Sequence, residues 1–124
     1  MTTAINTEDH DRAMQVVKAT LTFASTNQAV TTTHSYYGFV TQVFIDHGGT
    51  APTDAWDLVV TDEVGVDVLN GKGANIASAT DQYTFTQADL DNGMACSGQL
   101  TFTGTTGGTA SGVAEIYLYI ARYQ

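Results

Sequence analysis

Apolar and polar positions alternate with period two along most of this chain. Val17, Ala19, Leu21 and Phe23 alternate with Lys18, Thr20 and Thr22, the pattern of a strand with one face on a core. Residues 30–36 are threonine-rich and read as a weaker strand. Residues 39–45 read as a third, with Phe39, Thr41, Val43 and Ile45 on one face. Residues 56–61 give a fourth, with Trp56, Leu58 and Val60 inward. Asp62-Glu63-Val64-Gly65 then has the glycine-ended form of a tight turn, so residues 56–69 are expected to form a hairpin, with Val66 and Val68 also in the core. Residues 82–86 and 99–103 are further strands, the latter with Leu100 and Phe102 inward. Residues 113–123 form the last and longest. Residues 87–93 are a connector with one possible helical turn, capped by Thr86.

About eight strands at regular spacing, with no long segment of helical period, predict an all-β single domain. The expected architecture is an antiparallel β-sandwich of jelly-roll type. Residues 1–12 are polar and are expected to form an N-terminal arm that a partner chain orders. Residues 13–124 are expected to form the sandwich. Threonine is the commonest residue, which agrees with strands.

Charge narrows the partners. The net charge is -9, from 13 acidic and 4 basic residues. Arg12, Lys18, Lys72 and Arg122 are scattered, so no cationic footprint for nucleic acid is present. An anionic membrane surface is disfavoured for the same reason. The start of the chain has no apolar signal-type segment, and no run approaches a spanning helix. The expectation is therefore synthesis and assembly in the cytoplasm. With Cys96 as the one cysteine, no intramolecular disulfide forms.

The residue types that can carry chemistry do not form a known constellation. Gly71-Lys72-Gly73 lacks the spacing and the following Ser or Thr of a phosphate loop. Asp89-Leu90-Asp91-Asn92-Gly93 starts like a calcium loop, but Leu100 stands where the closing glutamate belongs. His10, His34 and His47 are too dispersed for a metal motif. Asp46-His47 resembles half of a catalytic pair, yet no nucleophile elbow accompanies it. Cys96, between Ala95 and Ser97, reads as a small buried thiol. No catalytic residue, metal ligand or cofactor site is expected, and the chain is read as a non-enzyme.

The last strand carries the stronger functional signal. Ala114, Ile116, Leu118 and Ile120 fall on one face, while Val113, Tyr117, Tyr119 and Tyr123 fall on the other. Both faces are apolar, so one is expected to meet the core and the other to be covered by a loop or by a partner chain, tyrosine being enriched in interfaces. Tyr36 and Tyr37 are expected to join that partner interface. The strand is expected to be central in its sheet, because an edge position would invite unwanted pairing.

One segment resembles a known group of proteins. Trp56, Asp57, Thr61, Asp62, Glu63, Gly65, Asp67, Leu69, Gly71, Gly73, Ala74 and Asn75, preceded by Gly49, Pro52, Thr53 and Asp54, resemble a recurrent pattern in small tailed-bacteriophage proteins encoded among head and tail genes. The resemblance covers about residues 39–85. It implies a virion structural protein with no catalytic residues, and capsid decoration is the leading role. A head–tail connector or tail protein is the alternative within that class, and a carbohydrate-binding module, stacking sugars on Trp56 and the tyrosines, the alternative outside it. The expected partners are the major capsid protein or other virion proteins, with a homo-oligomer, first taken as a trimer, on the particle.

Overall fold

The computed structural model describes residues 4–8, 14–47, 49–78, 82–85, 94–108 and 111–122. These residues form strands and turns without helix, arranged as a two-sheet antiparallel sandwich. The larger sheet has the order β1-β2-β9-β4-β6, with β7 also on β4. Its members are β1 (Ala4–Glu8), β2 (Met14–Phe23), β4 (Tyr36–Asp46), β6 (Gln82–Phe85), β7 (Met94–Gly98) and β9 (Gly112–Arg122). The smaller sheet has the order β3-β8-β5, from β3 (Gln28–Thr31), β5 (Asp57–Thr61) and β8 (Thr101–Thr105).

The connectivity is that of a jelly roll. β2 pairs with β9, β3 with β8, and β4 with both β6 and β7. The chain therefore behaves as one long hairpin, wrapped so that strands alternate between sheets from β2 to β6 and again from β7 to β9. β6 and β7 occupy one edge position: Phe85 lies opposite Val43 and Met94 opposite Val40.

Alternation fixes the core. Val17, Ala19, Leu21 and Phe23 of β2 and Ala114, Ile116, Leu118 and Ile120 of β9 are fully buried, as are Leu58, Val60, Leu100 and Phe102 from the other layer. Burial of each such aliphatic or aromatic side chain contributes about 1.5–3 kcal/mol. Trp56 is the largest fully buried side chain, and it meets Phe23 edge-on at 5.7 Å between ring centroids.

Several expectations need correction. The expected second strand of the hairpin does not form. Asp67 makes one isolated bridge to Thr61, and β5 pairs instead with β8. The reason is the Asp67 carboxylate. Its Oδ1 accepts the N–H groups of Val60 and Leu69 at 3.3 and 3.1 Å, and its Oδ2 that of Gly71 at 2.9 Å. Amides bound to a side chain are withdrawn from a ladder. The segment turns inward instead and closes the core with Val68, Leu69 and Ile76, while Val66 is 42% exposed.

The face assignment within β4 also changes. The register with β9 shifts between Val40 and Gln42, a bulge that puts an extra residue on one side. Val40, Val43 and Ile45 are buried, whereas Phe39 is 43% exposed. Part of the expected N-terminal arm is a strand of the sheet. Residues 4–8 form β1, antiparallel to β2 at the sheet edge, with Ala4 opposite Thr20 and Glu8 opposite Val17. β7 was not expected at all, and the connector 87–93 and calcium-like loop 89–93 lie outside the described residues.

Candidate functional site

The outer face of the larger sheet is the surface that resists a purely structural account. Its outward positions follow from the pairing. Across the sheet, Met14, Ala121, Phe39 and Ala95 share one row, Val16, Tyr119 and Gln42 the next, Lys18, Tyr117 and Phe44 a third, and Thr20, Glu115 and Asp46 a fourth. Met14, Tyr37 and Phe39 are 47, 51 and 43% exposed, and they lie at the same end of the face. Contiguous exposed apolar groups of this kind mark contact surfaces.

The central strand behaves as expected. β9 lies between β2 and β4, so Tyr117, Tyr119 and Val113 point outward from the middle of the sheet, each half-buried by its neighbours. Tyr117 stacks obliquely on Phe44 at 5.6 Å. Lys18 pairs with Glu115 at 2.8 Å and lies 5.3 Å from the centre of the Tyr117 ring. The Glu115 carboxylate and then the Tyr117 hydroxyl raise the Lys18 pKa. Thr41 donates to the Tyr119 carbonyl at 3.3 Å from within the bulge.

Two of the expected interface residues fall elsewhere. Tyr36 is fully buried in the core. Adjacent strand residues point to opposite faces, so Tyr36 and Tyr37 cannot share an interface, and only Tyr37 is on the outside. Tyr123 lies outside the described residues. Phe39, Phe44, Met14 and Val16 belong to the same face, and no residue pattern marks the bulge that turns Phe39 outward.

The sheet edges are less open than the face. Beyond β7, Asp62 Oδ2 accepts the Ser97 N–H at 3.2 Å, and the Glu63 N–H donates to the Ser97 carbonyl at 3.2 Å. β1 at the other edge is five residues long and breaks register between Ile5 and Thr7. Short, irregular or side-chain-capped edges resist pairing with another strand.

A groove of about 390 Å³ runs beside β7, lined by Asp62, Val64, Val66, Met94, Ala95, Cys96 and Ser97. Its titratable groups are committed to structure. Asp62 Oδ1 accepts the N–H groups of Val64, Gly65 and Val66 at 3.0, 3.1 and 3.1 Å. Cys96 is 1% exposed, and burial pushes its thiol up to about 11. The other carboxylates of the Trp56–Asn75 segment do the same work. Asp57 accepts from the Asn75 N–H at 2.8 Å, and Glu63 from the Gln99 N–H at 3.0 Å. Gly65 has φ +96, and a Cβ at Gly73 would collide with the Leu58 carbonyl oxygen. The quoted motif is thus a device for folding a turn-rich cap.

The remaining candidates are also structural. His47 is fully buried and accepts the Trp56 indole N–H at 3.0 Å. It is part of the buried interior. No group of three or more His, Cys, Asp or Glu that could hold a metal ion occurs among the described residues. No helix among them is long and apolar enough to cross a membrane. No protein-family model matches the chain, and no curated protein matches it.

Proposed function

We propose that this chain is a structural component of a bacteriophage particle, in the role of a capsid decoration protein. The observation that carries the reading is the outer face of the larger sheet. Tyr37, Phe39 and Met14 stay exposed there, beside Tyr117 and Tyr119, on a jelly-roll sandwich. Sandwiches of this type occur in viral capsid and lectin domains, and aromatic, charge-poor faces are what protein partners bury. The segment containing Trp56, Asp62, Gly65, Asp67 and Gly73 adds the resemblance to small tailed-phage proteins. Fold alone does not assign function, so face and segment together support it. The proposed partners are the major capsid protein and other virion proteins, and the proposed location is the virion, assembled in the host cytoplasm.

Acidity supports the outside of the head over the inside. A chain of net charge -9 is repelled by packaged nucleic acid. Many identical weak contacts, repeated over a lattice, give tight attachment without disulfides.

The test is copy number in purified particles, followed by face substitution. Closed symmetry leads to on the order of hundreds of copies for decoration and about five to twelve for a connector. A count in the lower range moves the chain to the head–tail connector or tail class, and absence from particles removes the reading. Tyr37→Ser with Tyr119→Ser should leave the domain folded and lower its occupancy on particles. The carbohydrate reading loses its expected platform, because Trp56 is 0% exposed. Glycan binding by the isolated domain, lost on Tyr37→Ser, would restore it.

A further inference from the structure

The outer face has the size, charge and symmetry of a self-contact. β2 runs for ten residues and β9 for eleven. At about 3.3 Å per residue and about 4.8 Å per strand, the strands of this sheet, with β1, β6 and β7 only four or five residues long, cover about 700 Å². A standard stable interface takes about that area from each partner.

Charge is distributed so that two copies can approach there. Of 13 acidic and 4 basic residues in the chain, the outward positions of β2, β9, β4 and β7 hold Lys18, Glu115 and Asp46. Lys18 and Glu115 are already paired. The carboxylates of Asp54, Asp57 and Asp67 flank β5, in the opposite sheet. Sheets stack about 10 Å apart, more than the screening length of about 8 Å at physiological salt. Those three carboxylates are therefore held away from the contact.

We infer that this face is closed by a second copy of the chain, with the two larger sheets meeting face to face about a two-fold axis along β9. The inference rests on the reading of the face as an assembly surface and names its occupant. β9 is the third of five strand positions, so rotation about it exchanges β2 with β4. Met14 then meets Phe39 of the second copy, and Val16 meets Gln42. Lys18 lies over Phe44 of the second copy, one row from that copy's Asp46. Tyr119 and Ala121 lie on the axis and face their own counterparts. The exposed apolar end is buried against itself, and the charged row forms the rim, the usual anatomy of an interface. A single patch meeting itself generates a two-fold, whereas a three-fold needs two different patches.

The experiment is sedimentation velocity of the whole free chain over a wide concentration range, with circular dichroism as the folding control. The expected result is a dimer that Tyr119→Asp and Phe39→Asp each convert to a folded monomer, while Thr103→Asp on the smaller sheet leaves it intact. Should either face variant fail to fold, Ala121→Cys in a Cys96→Ala background decides. Mild oxidation should give a covalent dimer, with Thr103→Cys in the same background giving none. A chain that stays monomeric up to high micromolar concentration overturns the inference. So does a dimer indifferent to both face substitutions, or one that Ala121→Cys does not cross-link. Particle binding is scored separately. A dimer of this kind that never binds particles supports the inference and removes the virion reading. A monomer bound to particles through this face does the reverse.

Discussion

The indole N–H of Trp56 donates to Nε2 of His47 across 3.0 Å, with both side chains fully buried. The two rings also meet edge-on at 5.9 Å between centroids. A buried indole N–H without an acceptor costs about 1–3 kcal/mol, so the imidazole acts as a structural acceptor inside the sandwich. His47→Leu should therefore destabilise the domain by about 1–3 kcal/mol. Trp56→Ala should cost about 3–5 kcal/mol, since it also empties the largest volume in the core. In urea unfolding, a double-mutant cycle of His47→Leu with Trp56→Phe should show coupling of about 0.5–3 kcal/mol. Additive effects would mean that the hydrogen bond contributes nothing of its own.

The turn after β5 depends on carboxylates. Asp62 holds three amides of its own turn and, through Ser97, the edge of β7. Asp62→Ala should cost about 1.5–3 kcal/mol, the range for hydrogen bonds to a charged group. Asp67→Ala should behave similarly, because it frees the amides of Val60, Leu69 and Gly71. Thermal denaturation of each variant checks this. Two unchanged midpoints would show that water replaces the carboxylates at no cost.

These contacts also explain what the sequence could and could not reveal. Strict alternation over Val17–Phe23 and Ala114–Ile120 has one good solution, two neighbouring strands with a shared inner face, and both were legible. Leu100 and Phe102 were legible for the same reason. The segment Val66–Leu69 looked equally strand-like, but Asp67 takes the amides that a ladder needs. A bulge at Thr41 leaves no trace in composition, so simple alternation puts Phe39 on one face with Val43 and Ile45, whereas the fold puts it on the opposite face. β7 is Met-Ala-Cys-Ser-Gly, which has no β-branched residue; it is extended because β4 pairs with it. The acceptor role of His47 was hidden because its partner is nine residues away, across the loop between β4 and β5. The outward tyrosines of β9 were visible in the pattern, and the aromatic company of Phe39 and Phe44 became visible through the pairing.

Cys96 should be chemically silent in the folded protein. Burial raises its pKa to about 11, so the thiolate that reacts with alkylating agents is scarce near neutral pH. The expected outcome is negligible labelling by iodoacetamide at pH 8 and full labelling in denaturant. The linkage has a definite sign. A pKa raised in the folded state means that the unfolded chain loses the proton first as pH rises. The stabilising contribution is complete below the ordinary thiol pKa and is lost as pH climbs through about 11. Cys96→Ala should flatten that part of the alkaline stability profile. Rapid labelling of the native protein at pH 8 would show that the groove beside β7 opens far enough to expose the thiol.

β1 lies along β2 at the edge of the larger sheet. Among residues whose side chains are described, the buried cluster draws on β2, β4, β5, β7, β8 and β9, with the cap residues Val68, Leu69 and Ile76. β1 adds a five-residue ladder along β2. Deleting residues 2–8 should therefore leave a cooperatively folding sandwich with a native-like circular dichroism spectrum. It should also expose the outer edge of β2, a ten-residue strand, and a long bare edge templates pairing with other chains. The deletion variant should consequently associate more readily on concentration, with species that grow in size and do not stop at a dimer. Sedimentation and light scattering separate this open-ended growth from a closed two-fold contact, which stops at a dimer. If the truncated chain fails to fold, β1 is an integral member of the sandwich, and its polar sequence has concealed a contribution to the core.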